Sequence, residues 1–176
     1  MKGIKRKYII LTLLTILIIV LDQLTKYVIV DRFRYGESIP VIQGFFNLTY
    51  VRNTGAAFGI LSHAAPAFRV PFFIIVPMVA LVAIGFIFRK IPDQDLKLSS
   101  ALSLVIGGAV GNLIDRVMLS YVVDFLDFHW KYQYHFPAFN VADAAICVGV
   151  GVLMLDLLNQ EEPKKSEETV DASTPH

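Results

Sequence analysis

Four long apolar segments, separated by shorter polar ones, dominate the sequence. They cover residues 8–30, 70–88, 98–119 and 139–158, and each approaches the roughly 20 residues that a helix needs to cross a bilayer core. Between the first two, residues 38–61 alternate apolar and polar positions with Gly, Asn and Thr between them, a pattern typical of short strands. The pattern therefore predicts four transmembrane helices, with short strands between the first two.

The composition supports a membrane protein. Hydrophobic residues make up 55% of the chain and charged residues only 18%, and the mean hydropathy is +0.59, which is unlike an average soluble domain. The net charge of +1 and the absence of a basic stripe give no indication of nucleic-acid binding. Cys147 is the one cysteine and lies inside the fourth apolar segment, so no intramolecular disulfide is expected.

Basic residues flank the apolar segments unevenly, and this predicts the topology. They cluster before the first segment, between the second and third, and after the fourth, which places both termini in the cytoplasm. We expect the first segment to be retained, because no small-residue cleavage pattern follows it. Residues 1–160 are predicted to form a single integral membrane domain. Residues 161–176 are polar and charged and are predicted to be a disordered cytoplasmic tail.

A tetrapeptide pattern, Asn-x-x-Asp, occurs at the ends of the third and fourth segments that meet one connection. It comprises Asn112 with Asp115 and Asn140 with Asp143. Three-residue spacing places each pair on one helical face, and an ionisable group inside a membrane span marks function by default. An alternative for Asn140 and Asp143 is a helix N-cap followed by an acidic N3 residue, which would explain both without chemistry.

Two further polar pairs could have a structural role instead of a functional one. Asp22 lies about 21 Å along the first predicted helix, in the outer half of the membrane, and its i,i+4 partner Lys26 could neutralise it while snorkelling outward. Asp115 and Arg116 could form a structural ion pair. For Asp22 and Lys26 we favour mutual neutralisation over a direct chemical role. For Asp115 and Arg116, a structural ion pair and a functional role both stay open.

The connection at 120–138 carries many aromatic residues and is predicted to lie along the membrane interface. Asp124 and Asp127 lie within it, so several carboxylates meet at one depth. Asp127, His129 and His135 could bind a metal, but no HExxH-like pattern is present. Interfacial histidines among aromatic residues are usually polar surface groups, and we expect no metal and no cofactor.

Carboxylates that lie close together at the membrane–water interface suit two kinds of chemistry. Two aspartates that share a proton can activate a water and polarise a carbonyl, as in aspartic proteases, and they titrate as a coupled pair. Carboxylates in helices also relay protons in transporters. Spacing alone leaves an intramembrane aspartic hydrolase and a proton-coupled transporter both open.

Five segments in order resemble the motif set of the bacterial lipoprotein signal peptidases, or signal peptidase II. They are DQLTK at 22–26, NTGAAFG at 53–59, GNLIDR at 111–116, VVDF at 122–125 and FNVAD at 139–143. The resemblance implies a mainly α membrane fold, a four-transmembrane-helix bundle with a small extracytoplasmic β-sheet cradle and an interfacial helix. It also implies a location in the bacterial inner (cytoplasmic) membrane, with the active site near its outer face.

The same resemblance implies an activity and a set of site residues. The activity is removal of the signal peptide from diacylglyceryl-modified prolipoproteins, with cleavage before the lipid-modified Cys. The catalytic pair falls on Asp124 and Asp143. Positions that line, support or brace the substrate site fall on Asn53, Gly55, Asn112, Arg116, Asn140, Asp22, Lys26 and Asp115. The implied partners are the precursors and membrane lipid, and we expect a monomer.

Overall fold

A computed structural model describes residues 5–55, 60–131 and 133–161. Apart from Glu161, the predicted tail at 161–176 lies outside these ranges. Residues 56–59 of the motif at 53–59 also lie outside them.

The four apolar segments form the four helices of the described chain. They are α1 (Arg6–Arg32), α2 (Pro66–Lys90), α3 (Leu96–Leu119) and α4 (Val141–Glu161). Each is long and apolar enough to cross a membrane, and many of their large apolar side chains are exposed on the isolated chain, as lipid-facing residues would be. The four predicted spans are confirmed. The described ranges contain no further helix, so the implied interfacial helix has no counterpart there.

The two connections between helices that meet at one end of the bundle form a four-stranded antiparallel sheet. Its strands are β1 (Ser38–Ile42), β2 (Phe46–Asn53), β3 (Val122–Trp130) and β4 (Tyr134–His135), in the order β1-β2-β3-β4. The predicted strands between the first two helices are confirmed. Strand β3 was not predicted, because it is buried on both sides over most of its length and so has no apolar–polar alternation.

A small apolar cluster fixes the sheet to the helix ends. Ile29 near the end of α1 packs with Tyr50 of β2 and with Val123 and Phe125 of β3, and all four side chains are buried. Burial of this cluster stabilises the sheet against the bundle. The first residues of β3 are thereby held beside the C-terminal ends of α1 and α3.

Close helix contact holds α3 against its neighbours. A Cβ atom at Gly108 would overlap the carbonyl oxygen of Ala142 in α4, and one at Gly111 would lie 2.7 Å from Oδ2 of Asp22 in α1. Small residues at helix interfaces permit such close contact in a membrane. The observed packing brings the polar residues of α1, α3 and α4 to one place.

Candidate active site

Asp124 lies in β3, at the point where the sheet meets the helix ends. Its side chain is 2% exposed. Nδ2 of Asn53 donates to Oδ2 at 2.9 Å, and Nδ2 of Asn140 donates to Oδ1 at 2.7 Å. Burial, and to a smaller extent the charge of Asp143, raise the pKa of Asp124 to about 7, while the two amide hydrogen bonds and the charge of Lys26 oppose the shift. Asp124 therefore binds a proton near neutral pH.

Asp143 lies in the first turn of α4 and is held by two neighbours. Nδ2 of Asn112 donates to Oδ1 at 2.7 Å, and the backbone N–H of Asn140 donates to Oδ2 at 3.3 Å. In return, Oδ1 of Asn140 accepts from the backbone N–H of Asp143 at 2.9 Å. This reciprocal pair of hydrogen bonds is a capping box. The predicted N-cap at Asn140 with an acidic N3 residue at Asp143 is therefore present.

Capping does not account for the whole Asn140 side chain. Its Nδ2 lies 2.7 Å from Oδ1 of Asp124 and 3.2 Å from Oδ1 of Asn112. Asn140 is fully buried and contacts both carboxylates, Asp124 through its side chain and Asp143 through its backbone. One asparagine thus links β3 to the start of α4.

A second group of buried charges lies next to this pair. Nζ of Lys26 is 2.8 Å from Oδ2 of Asp22 and 3.0 Å from Oδ2 of Asp115. It also donates to Oδ1 of Asn112 at 3.0 Å. Lys26 is 3% exposed, so the predicted outward snorkelling is wrong; the neutralisation of Asp22 by Lys26 is confirmed. The ion pair considered between Asp115 and Arg116 does not form, since Asp115 pairs with Lys26.

The two carboxylates of this group hold the backbone beside the first pair. Oδ1 of Asp22 accepts from the backbone N–H of Ala142 at 2.9 Å, and Oδ2 of Asp115 accepts from that of Val123 at 3.0 Å. Ala142 directly precedes Asp143, and Val123 directly precedes Asp124. Each carboxylate of the Lys26 group therefore fixes the peptide that carries one member of the pair.

Gln23 cross-links the Lys26 group and was not predicted as a site residue. Its Nε2 lies 3.2 Å from Oδ2 of Asp22 and 3.0 Å from Oδ1 of Asp115. The available signal was its position inside the segment DQLTK, between two residues that were selected. The Gln23 amide thus reaches Oδ1 of Asp115, whereas Lys26 contacts Oδ2 of that residue, and it shares Oδ2 of Asp22 with Lys26.

Arg116 anchors the loop that follows β2. Its guanidinium donates to the backbone oxygens of Asn53 and Gly55 and lies 4.5 Å from the ring centroid of Phe73 in α2. The loop is also closed by the backbone N–H of Gly55, which donates to Oδ1 of Asn53 at 3.0 Å. Arg116 thus connects α2 and α3 to the loop that supplies a donor to Asp124.

Asp127, His129 and His135 come together on the sheet, apart from the carboxylate pair. Nδ1 of His135 lies 3.0 Å from Oδ1 of Asp127, and the two imidazole rings stack with centroids 4.9 Å apart. The predicted surface location is wrong for His129, which is 4% exposed, and Asp127, for which no location was predicted, is 9% exposed. The strand pairing, which the sequence did not reveal, buries them.

Asp124 and Asp143 form a chemically distinctive pair. Among the residues that the structure describes, the side chains that hydrogen-bond to them are neutral amides, and no cationic side chain lies within ion-pair distance of either carboxylate. Two buried carboxylates without a cationic partner can share a proton. Such a pair can act as base and acid toward one substrate.

Comparison with known proteins gives a consistent result. A family model described as signal peptidase (SPase) II matches residues 14–159. The lipoprotein signal peptidase of Syntrophotalea carbinolica is 58% identical over 83% of this chain and 89% of its own length. That of Geobacter metallireducens is 48% identical over 93% and 99%. A solved bacterial membrane enzyme superposes with a TM-score of 0.76 at 36% identity, covering 94% of both chains.

Proposed function

The chain belongs to the signal peptidase II family, and we propose that it cleaves diacylglyceryl-modified prolipoproteins with Asp124 and Asp143 as the reacting carboxylates. Family membership makes it a multi-pass membrane peptidase that removes signal peptides from prolipoproteins. The proposal adds the aspartic mechanism, the two residues, and cleavage before the lipid-modified Cys.

The mechanism divides one proton between two carboxylates. The ionised aspartate takes a proton from water, and the oxygen of that water attacks the scissile carbonyl carbon. The protonated aspartate donates to the carbonyl oxygen, which stabilises the tetrahedral intermediate. When the C–N bond breaks, the leaving amine receives a proton from the pair, and the hydroxyl formed from the carbonyl oxygen returns its proton to the pair as the C=O of the product forms. The pair returns to its single-proton state after the products leave.

The contacts of Asn140 are the observation that carries the proposal. Its side chain donates to Oδ1 of Asp124 at 2.7 Å, and its backbone N–H donates to Oδ2 of Asp143 at 3.3 Å. Both carboxylates are thereby oriented from one residue. Their hydrogen-bonding side chains, Asn53, Asn112 and Asn140, cannot supply a positive charge that would fix both as anions. This supports a pair that retains one proton.

The location of the site suits a lipid-modified substrate. Asp124 and Asp143 lie where β3 meets the start of α4, next to helices whose apolar side chains are exposed. A precursor could diffuse laterally with its acyl chains in lipid and present its cleavage site at this depth. With both termini in the cytoplasm, the site lies near the outer face of the bacterial cytoplasmic membrane, where water is available.

Proton-coupled transport is the alternative function that buried carboxylates allow. Membership of a peptidase family favours hydrolysis. The two functions predict different results in detergent solution. A peptidase cleaves its precursor there, whereas a transporter has no compartments to connect and produces no cleavage product.

The test is cleavage of a defined precursor by the protein purified in detergent. A diacylglyceryl-modified precursor and the same polypeptide without the lipid are each incubated with the protein, and products are resolved by mass. We expect a single cut before the modified Cys in the first and no product from the second. Cleavage of both at equal rates would contradict the lipid requirement. No cleavage of either, with proton-linked flux in vesicles, would establish the transporter.

A further inference from the structure

The cluster of Asp127, His129 and His135 lies outside the machinery described above. Asp127 and His129 are two residues apart in β3 and point to one face of the strand. His135 in β4 is the direct cross-strand partner of His129. The candidate ligand atoms of the three side chains all lie within 4.8 Å of one another. Three potential ligands therefore converge from two strands.

We propose that Asp127, His129 and His135 bind one transition-metal ion of the zinc class. Two imidazoles and one carboxylate are a donor set that suits Zn²⁺. Bond lengths of about 2.0–2.2 Å in a tetrahedral site place ligand atoms about 3.3 Å apart. Oδ1 of Asp127 and Nδ1 of His135 are already 3.0 Å apart, and side-chain rotation would bring the remaining ligand atoms, now within 4.8 Å, to this spacing.

A fourth residue, Asn47, supports the ligand role of Asp127. It is the cross-strand partner of Asp127 in β2, is 8% exposed, and its Nδ2 lies 3.4 Å from Oδ2 of Asp127. Metal-binding carboxylates are commonly oriented by such a hydrogen bond to the second oxygen. Oδ1 of Asn47 is buried and has no hydrogen-bond partner among the described residues. A water bound to the ion would provide the donor that this oxygen lacks.

Access to the site comes from the solvent side. The side chain of His135 is 47% exposed and that of Asp127 is 12% exposed, so an ion can reach the ligands without opening the sheet. Deeply buried His129 provides the fixed end of the site. This gradient of exposure suits reversible binding.

The ion would connect β4 to β3, the strand that carries Asp124. Strand β4 is two residues long, and without an ion it is held to β3 by pairing at two positions. After β4 the chain returns to β3 through Phe139, which exchanges backbone hydrogen bonds with Leu126, and then reaches Asn140. A metal at Asp127, His129 and His135 would fix the β4 end of this return to β3, while the bonds of Phe139 to Leu126 fix its other end. Its role is structural, and it does not depend on the proposed peptidase mechanism.

The test measures Zn²⁺ binding without any precursor present. Protein without a polyhistidine tag is purified in detergent, stripped with chelator, and titrated with Zn²⁺ against a chromophoric competitor. The chain has four histidines, so the matched control is the double variant His63→Gln, His176→Gln, which leaves the cluster intact. We expect wild type and control to bind one Zn²⁺ per chain. His135→Gln and Asp127→Asn should bind at least about tenfold more weakly.

A second readout is thermal stability. Zn²⁺ should raise the Tm of wild type and control, because an ion that binds the folded state stabilises it, and should not raise that of His135→Gln. His135 is half exposed, so this variant should fold. Failure of wild type to bind Zn²⁺ would overturn the proposal and leave an Asp–His hydrogen bond as the explanation of the cluster. Equal binding by all four proteins would also overturn it.

Discussion

Two pairs of buried aspartates lie side by side where the sheet meets the helices, and they differ in what surrounds them. Asp22 and Asp115 share the ammonium group of Lys26. Asp124 and Asp143 share contacts with Asn140, a neutral residue. A cation favours the ionised form of a buried carboxylate, whereas burial among neutral groups favours the protonated form. The first pair is therefore part of a buried ion-pair network (the fixed pair), whereas the second, in the mechanism proposed above, holds and releases a proton (the reactive pair).

The two pairs are also connected. The fixed pair binds the backbone N–H groups of Ala142 and Val123, the residues that precede Asp143 and Asp124. A stable charged group thus positions a reactive one through the main chain. Lys26 thereby supports the reactive pair through Asp22 and Asp115, with which it forms ion pairs. Its charge still acts on Asp124, whose pKa it lowers.

Removing either reactive carboxylate should have the largest effect. Asp124→Asn or Asp143→Asn keeps size and hydrogen bonding but removes the acid–base function, so we expect at least about a thousandfold lower cleavage rate. Folding should be retained, as measured by Tm in detergent. Asp31→Asn at the exposed end of α1 is the matched control and should cleave normally. Activity within tenfold of wild type in either site variant would contradict the assignment.

Replacing the shared cation tests the fixed pair. Lys26→Met leaves Asp22 and Asp115 buried without a counter-ion, which should lower the free energy of unfolding by about 3–5 kcal/mol. Chemical and thermal denaturation in detergent measure the loss. Adding Asp22→Asn and Asp115→Asn to this variant should restore part of the stability, because the unpaired charges are then gone. An unchanged Tm in the single variant would mean that Lys26 does not hold the two carboxylates.

Sequence reasoning predicted the helices well because their signal is strong. Each span is a long apolar run, and the requirement that backbone groups be satisfied within the membrane makes helix the expected structure. Strand β3 gave no such signal, since residues on both of its faces are buried. Its strand character depends on pairing with β2, which lies about 75 residues earlier in the chain.

The candidate site residues were selected by motif resemblance, which could not predict the contacts between them. Asp115 follows Asn112 by three residues, yet Asn112 contacts Asp143 while Asp115 contacts Lys26 and Val123. Local spacing placed both on one face and could not distinguish these partners. The partner of each carboxylate is set by how closely α1, α3 and α4 pack, which depends on tertiary contacts at Gly108 and Gly111.

The pH dependence of cleavage should follow the proton on the reactive pair. Burial raises the pKa of Asp124 to about 7, so the pair keeps a proton below this pH and loses it above. The doubly ionised pair has no acid to donate to the carbonyl. We therefore expect kcat to fall by up to about tenfold per pH unit above pH 7. Initial rates between pH 6 and 9 on the lipidated precursor measure this, and a flat profile would contradict the shared proton.

The smallest effect should come from an ion pair of the same geometry in a more exposed place. Nζ of Lys97 lies 2.9 Å from Oδ1 of Asp156, between the 2.8 and 3.0 Å of the two ion pairs of Lys26, but the Lys97 side chain is 51% exposed. Exposed pairs contribute little, since water solvates both charges well when they separate. Lys97→Met should therefore lower the free energy of unfolding by no more than about 1 kcal/mol, against the several kcal/mol expected for Lys26→Met, when the two are measured in one detergent and salt. Equal losses would show that distance alone, and not burial, sets the contribution of these lysines, and the contrast between the two aspartate pairs would then lose its physical basis.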